Sequence, residues 1–264
     1  MTGTQIPSPP AGLVMDQTYQ AVFTVAMFAA IAALFTYAVV LLRKERTPVP
    51  LLLMAGGAAA MLCEPIVDVL GLCVFPSGNQ WTLFKTFDRP IPMFILVYIW
   101  FVGGQALLVW RTLQRGGGPK AVWRWLMIFF AIDVTMETIA VRVFGLYVLY
   151  GKQPFQILGL PWWWILVNAT MPVVTGVVVY KTLPWLTGPK VLGVIALVPM
   201  CDAAVNASTS FAMWNVLNSD AGYVTTYAVG VVTIGLTLFL VWLAAMSTRE
   251  PAPVEARVLA EHRG

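Results

Sequence analysis

The sequence contains very little histidine, and it keeps lysine out of its apolar stretches. Its single histidine, His262, lies in the C-terminal tail. His-ligated haem and di-iron proteins and HExxH zinc enzymes are therefore excluded, because each needs histidine at its metal. A retinal protein is excluded as well, since its chromophore forms a Schiff base with a lysine inside a helix. The chain also lacks a DDxxD-type diphosphate motif and a Gly-rich phosphate loop, and we predict no metal and no cofactor.

Charged residues are scarce too. Only 11% of the 264 residues are charged and 59% are hydrophobic, with a mean hydropathy of +0.79. These values exclude an ordinary soluble domain and indicate a polytopic membrane protein. A bilayer core of about 30 Å needs about 20 apolar residues per helix, so we predict an all-α bundle of seven transmembrane helices. The predicted spans are 19–42, 50–75, 91–110, 121–147, 161–180, 191–212 and 222–246.

The positive charges predict the orientation of this bundle. Of the sixteen Lys and Arg residues, twelve fall in the loops after the first, third and fifth spans and in the C-terminal tail. Cytoplasmic loops carry such an excess, so we predict the N-terminus outside and the C-terminus inside. Residues 1–18 are then an extracytoplasmic segment, 19–246 the transmembrane domain and 247–264 a cytoplasmic tail. We expect a multi-pass protein of the bacterial inner membrane.

The net charge of +4 reflects this topology and implies no nucleic-acid partner. The partners that we expect are the lipid bilayer and a lipophilic small molecule. The oligomeric state is left open.

Acidic residues inside the predicted spans are the main functional signal. They are Glu64 and Asp68 in the second span, Asp133 and Glu137 in the fourth, and Asp202 in the sixth. Each pair is four residues apart, so both members project from one face of a helix. All five lie at or beyond the midpoints of spans that run outwards, which predicts a shared interior. Because an ionised carboxylate in lipid costs several kcal/mol, such residues are functional by default.

Other side chains are expected to complete or balance this site. Arg142 is predicted to neutralise Glu137 or Asp68, and Arg89 either binds substrate oxygens or pairs with Asp88. Polar and aromatic residues at a similar level are candidates for substrate binding, namely Asn168, Asn206, Trp100, Trp214, Tyr223 and Tyr227. Pro65 removes a helix hydrogen bond directly after Glu64 and is expected to free the carbonyl of Met61.

Several carboxyl groups with little compensating positive charge suit acid catalysis. Burial and mutual repulsion favour the neutral form of a carboxyl group, so some of them should carry a proton. A carboxylic acid beside a carboxylate protonates a leaving oxygen or an alkene and then stabilises the resulting cation. We expect Glu64 and Asp68 to form this pair, with Asp202 or Glu137 opposite them.

The stretch "EPIVDVLGLCVFPSGNQWTLFKTFDRPIPMFILVYIWFVGG" (64–104) resembles the AveC-like, avermectin-type family of membrane spirocyclases. In that family an acidic helix is followed by an extracytoplasmic loop that ends in a Gly/Asp-Arg-x-Ile-Pro sequence. The resemblance implies spiroketal formation from a dihydroxyketone polyketide, with dehydration in some members. It covers about a sixth of the chain closely, and the rest only in hydropathy.

Two other functions remain open from the sequence. A membrane terpene cyclase would use the same acids, and Trp and Phe residues facing the pocket would favour it. Polar donors such as Asn168 and Asn206 would instead favour an oxygen-rich substrate. A proton-coupled transporter or lipid-binding protein would use the acids to relay protons or to bind a cation. A transporter needs access from both sides, whereas the predicted polarity lies in the outer half of the bundle.

Overall fold

The computed structural model describes residues 7–249 and consists mainly of helices. The predicted segment 1–18 and tail 247–264 lie partly outside this range, as does His262. The α-helices are α1 (Gln17–Glu45), α2 (Val49–Ala60), α3 (Glu64–Gly71), α4 (Gln105–Gln114), α5 (Pro119–Thr138), α6 (Trp162–Thr182), α7 (Gly193–Leu217) and α8 (Tyr223–Ser247). The strands are β1 (Cys73–Val74), β2 (Thr82–Thr86), β3 (Arg89–Pro92), β4 (Val148–Leu149), β5 (Gln156–Ile157) and β6 (Leu160–Pro161).

Within residues 7–249, six helical segments are long and apolar enough to cross a membrane. They are Gln17–Glu45, Val49–Gly71, Met93–Gln114, Trp162–Trp185, Gly188–Leu217 and Tyr223–Ser247. Helix α5 occupies the predicted fourth span but is not one of the six, because Lys120, Arg124, Asp133 and Glu137 make it more charged than the others. It nevertheless packs among them, against α6 and α8.

Short irregular turns interrupt two of the predicted spans. Between α2 and α3, residues Met61–Cys63 form a 3-10 turn. The segment Met93–Gln114 begins with a 3-10 turn, Met93–Val97, and continues through a π-helical turn, Ile99–Gly104, before α4. A second π-helical turn, Ile139–Val143, extends α5. Such turns inside helices are frequent at functional sites.

The second and fourth predicted spans, 50–75 and 121–147, end earlier than expected, because the chain leaves the helix and forms small sheets. Leu72 adopts a left-handed conformation that stops α3, and β1 then pairs antiparallel with β4. Strands β2 and β3 form a hairpin whose two loop residues, Phe87 and Asp88, have φ of 50° and 54°. Strand β5 pairs with β6. These sheets lie in the two loops of residues 72–92 and 144–161, at one end of the bundle, which we call the hairpin end.

The opposite half of the bundle is tightly packed through glycine. A Cβ atom on Gly57 would lie 2.6 Å from the carbonyl oxygen of Tyr98, and one on Gly103 would lie 2.4 Å from that of Leu53. Helix α2 and the π-helical turn therefore touch backbone to backbone, as small residues permit in membrane helices. A Cβ atom on Gly176 of α6 would lie 2.8 Å from the Ala106 carbonyl oxygen. At these glycines α2 and α6 lie in close backbone contact with the segment Met93–Gln114.

Candidate active site

Glu64 lies at the break between α2 and α3. Its backbone N–H donates to the carbonyl of Met61 in the 3-10 turn. Pro65 follows in the first turn of α3. Backbone N–H groups in the first turn have no acceptor within the helix, so proline removes no helical hydrogen bond there. The Met61 carbonyl is therefore bonded within the break, contrary to the expectation that it is free.

The Glu64 side chain borders a small cavity near the hairpin end. Its Oε2 atom accepts a hydrogen bond from the phenolic O–H of Tyr98. Glu137 of α5 and Asn168 of α6 line the same cavity, which has a volume of about 60 Å³. This is room for only a few water molecules. Most of the remaining wall is aromatic, formed by Phe23, Phe75, Phe94, Phe101, Tyr147 and Trp164.

The other three acids lie behind this wall. Asp68, Asp133 and Asp202 are at most 2% exposed. Neither carboxyl oxygen of any of the three has a hydrogen-bond partner among residues 7–249. Glu64 lies within electrostatic range of all four other acids. The five acids thus form one cluster around Glu64, two of them at the cavity and three buried behind it.

Cys73 of β1 closes the cavity on the hairpin side. Burial raises the pKa of its thiol well above the usual range, and the nearby carboxyls of Asp68, Glu64 and Glu137 raise it further. A thiol reacts as a nucleophile only in its thiolate form. Cys73 is therefore a wall residue and a poor candidate for covalent catalysis.

The two arginines expected near the site have different surroundings. Arg89 donates to the carbonyl oxygen of Cys73 (2.8 Å) and to the hydroxyl of Tyr150 (3.2 Å), and its charge reaches Asp68. Arg142 is exposed and packs against Gly159. Within the part of the chain that the structure describes, neither makes a salt bridge. The expected pairs of Arg142 with Glu137 or Asp68, and of Arg89 with Asp88, are therefore not formed.

Of the polar and aromatic candidates, Asn168 alone lines the cavity. Its amide faces the Asp133 carboxyl without a hydrogen bond. The Asn206 Nδ2 atom donates to Met171 Sδ (2.9 Å) and to the Asp202 carbonyl oxygen (3.1 Å), so Asn206 is engaged in packing. The indole N–H of Trp214 is buried without a partner among the described residues.

The two tyrosines that were predicted to bind substrate lie on the surface of α8. Tyr223 is 65% exposed, with Lys152 above its ring, and Tyr227 is 43% exposed and packs edge to face with Phe155. Neither lines the cavity.

An apolar groove lies beside the cavity, between α1 and α5. Its volume is about 720 Å³, and Trp100 forms part of it. Ala26 and Ala30 contribute from α1, and Thr135 is its one side chain with a hydroxyl. Phe23 and Met136 line both the groove and the cavity, so these two side chains separate them. Phe144, which lines the groove towards the hairpin end, stacks on Tyr19 with 4.7 Å between the ring centroids.

Sequence reasoning missed Tyr98, the residue that contacts Glu64 directly. Its signal was weak, since a tyrosine near the end of an apolar span is normally assigned to the interfacial aromatic belt. The contact between Tyr98 and Glu64 forms because α2 approaches the turns that start at Met93. The spacing of residues along the sequence does not show that approach. The same reason explains why the aromatic wall was not predicted.

Comparison with known proteins adds no assignment: no protein family, curated protein or solved structure matches this chain.

Proposed function

We propose that this protein is a membrane-embedded, acid-catalysed cyclase that forms a spiroketal from a lipophilic polyketide. The observation that carries the proposal is the cluster of five carboxyl groups around Glu64, two of which face an aromatic cavity. Carboxyl groups in an apolar site are the chemical equipment for generating a cation and holding it. The spiroketal product is what the resemblance of residues 64–104 implies. The proposed setting is a seven-span bundle in a bacterial inner membrane, with the N-terminus outside and the C-terminus inside.

The size of the cavity limits what enters it. A volume of about 60 Å³ is smaller than the dihydroxyketone end of a polyketide, so that end fits only when the cavity opens into a neighbouring space. The apolar groove is about twelve times larger and borders the cavity at Phe23 and Met136. We therefore place the substrate's hydrocarbon part in the groove, with access from the bilayer through a gate formed by these two side chains. This route suits a greasy substrate that never crosses the membrane.

The proposed reaction converts a dihydroxyketone into a spiroketal and one water molecule. One hydroxyl adds to the ketone and gives a hemiketal. A carboxylic acid then protonates the hemiketal hydroxyl, which leaves as water, and an oxocarbenium ion remains. The second hydroxyl attacks this carbon and transfers its proton to a carboxylate of the same pair, so the pair again holds one proton at the end of the reaction.

Glu64 and Glu137 are the best-placed pair for these two proton transfers, because both line the cavity. Asp68, which we expected to partner Glu64, does not line it. Tyr98 orients the Glu64 carboxyl through its hydrogen bond. The aromatic wall excludes water and presents ring faces, which attract cations. Asn168 supplies the polar group best placed to bind a substrate oxygen.

A membrane terpene cyclase is the second candidate, and the aromatic cavity wall favours it. Such an enzyme would protonate an alkene or epoxide with Glu64 and stabilise a carbocation on the same rings. Against it stands the pair of hydrogen-bonding groups at the cavity, Tyr98 and Asn168, which suits an oxygen-rich substrate.

Proton-coupled transport is favoured by one feature, the interruption of two spans by 3-10 and π-helical turns beside the acids. Broken helices commonly form the ion and substrate sites of transporters. Against transport stand the close backbone contacts at Gly57 and Gly103, which leave no room for a passage between α2 and the π-helical turn. For this reason we favour catalysis.

The experiment compares lipophilic extracts of the native host by liquid chromatography and mass spectrometry. The gene is intact, deleted, or restored as wild type, as Glu64→Gln or as Glu137→Gln. We expect the deletion to accumulate a compound one water heavier than the lost product, and neither Gln variant to restore that product. An accumulated isomer of the product would instead identify a terpene-type cyclisation.

The matched control is Asp220→Asn, which removes an exposed carboxyl near the hairpin end and should restore the product fully. Protein levels are compared by immunoblot so that misfolding is not mistaken for inactivity. If the compounds persist in the deletion strain and only their partition between cells and medium changes, the protein is a transporter and the cyclase proposal fails.

A further inference from the structure

A second concave site lies at the end of the bundle opposite the hairpins. It lies between α1, α4 and α5 and has a volume of about 500 Å³. Its wall includes three arginines, Arg111, Arg115 and Arg124, together with Tyr37, Leu108 and Trp125. We call it the arginine site. It shares no lining residue with the acidic cavity or the apolar groove.

The arginine site carries excess positive charge. Arg111 forms a salt bridge with Glu45 and also donates to Gln114 Oε1 (3.1 Å). Within residues 7–249, Arg115 and Arg124 form no salt bridge. Three arginines against one glutamate leave a net charge of +2. Topology alone explains arginines at this end of the spans, but not their convergence on one concave site.

The lining of the arginine site is amphipathic. Tyr37, Leu108 and Trp125 give it an apolar side, and the Trp125 indole N–H is held by the Thr112 hydroxyl at 2.9 Å. Tyr37 lies seven residues from Ala30 on α1, or about 10 Å at 1.5 Å per residue. Half of a hydrocarbon core is about 15 Å. An acyl chain whose headgroup lies at the arginines therefore reaches the inner end of the apolar groove at Ala30.

We propose that the arginine site binds the headgroup of an anionic phospholipid, whose acyl chain lies along the crevice between α1 and α5. A guanidinium group binds two oxygens of one phosphate through two parallel hydrogen bonds. Basic pockets between membrane helices recognise anionic headgroups. The apolar side of the site selects an amphiphile over a free anion. The chain ends below Phe23 and leaves the outer part of the groove open. The proposal is independent of the proposed catalysis.

The test is native mass spectrometry of the purified protein in neutral detergent, with equal amounts of phosphatidylglycerol and phosphatidylcholine added. We expect one phosphatidylglycerol to be retained preferentially by the wild type. The double variant Arg115→Gln/Arg124→Gln should retain about thirtyfold less, because each arginine near a lipid surface contributes about 1 kcal/mol and every 1.4 kcal/mol is a factor of ten. The control is Arg43→Gln/Lys44→Gln, which removes the same charge from the last turn of α1 and should retain the lipid.

A second variant, Arg115→Lys/Arg124→Lys, keeps the charges that set topology but removes the paired guanidinium contacts. Its retention should fall clearly below that of the wild type. Equal losses in the Gln variant and the control would mean general surface attraction and would overturn the site. The lipid proposal also fails if inorganic phosphate displaces phosphatidylglycerol, because the site would then bind a soluble anion, or if the wild type shows no preference between the two lipids.

Discussion

The contact between α2 and the π-helical turn makes a quantitative prediction about Gly103. Replacing Gly103 with Ala places a Cβ atom 2.4 Å from the Leu53 carbonyl oxygen, where ordinary contact begins at 3.4 Å. The difference, 3.4 − 2.4, requires the two backbones to separate by about 1 Å. Neither partner is a flexible side chain that can move aside. Overpacking of this kind costs about 1–3 kcal/mol.

The assay heats the detergent-solubilised protein and measures the folded, monodisperse fraction by size-exclusion chromatography. The readout is the temperature at which half of the protein has lost its fold. A change of 1 kcal/mol in the free energy of unfolding shifts this midpoint by about 2–4 °C in proteins of 150–250 residues, so Gly103→Ala should lower it by roughly 2–12 °C. Tyr98 lies on the same segment, five residues earlier. The displacement should therefore also weaken its hydrogen bond to Glu64 and reduce activity.

The matched control is Gly235→Ala in α8. Among the described residues, no atom lies within 4 Å of the position that its Cβ would take. Alanine is favoured over glycine inside a helix by up to about 1 kcal/mol, so this variant should be as stable as the wild type or more stable. If both variants shift the midpoint alike, the close backbone contact at Gly103 does not limit stability and the packing argument is refuted.

Three further predictions concern the site. In the proposed mechanism the Glu64 carboxyl carries charge, and Tyr98→Phe removes a hydrogen bond to it that is worth about 1.5–3 kcal/mol. Product formation in the host should therefore fall at least tenfold; full activity would remove Tyr98 from the proposed mechanism. Ala26→Trp fills the groove and should reduce product yield severalfold, whereas Ala32→Trp, on the opposite face of α1, should not; equal effects would contradict lateral access. In a chain whose other cysteines are alanine, Cys73 should be alkylated by N-ethylmaleimide at pH 7–8 far more slowly than an exposed cysteine. The reason is that the raised pKa of its thiol suppresses the thiolate. Rapid labelling would contradict its burial.

The cluster of acids shows how far sequence reasoning reached. Spacing of four residues placed Asp133 and Glu137 on one side of α5, and helix geometry alone guarantees that result. Which of the two borders a cavity depends on how α5 is rotated against its neighbours, and the structure selects Glu137. The expected pairing of Arg142 with an acid is absent from the described residues, because the direction of this side chain also depends on how the helix packs against its neighbours. Proximity in sequence does not decide which way an arginine at the end of a helix points.

The sequence by itself determined six of the seven predicted apolar spans, because hydropathy summed over about 20 residues is a local property of the chain. It also determined that acids recur at one level of several spans. Only the tertiary structure decided that α3 ends at Gly71, that three small sheets cover one end, and that Tyr98 contacts Glu64. Each of these depends on contacts between residues distant in sequence, and close packing sets such contacts at the level of single atoms. The chain's composition fixes where it can lie in a membrane, and the packing of its helices fixes which carboxyl groups meet.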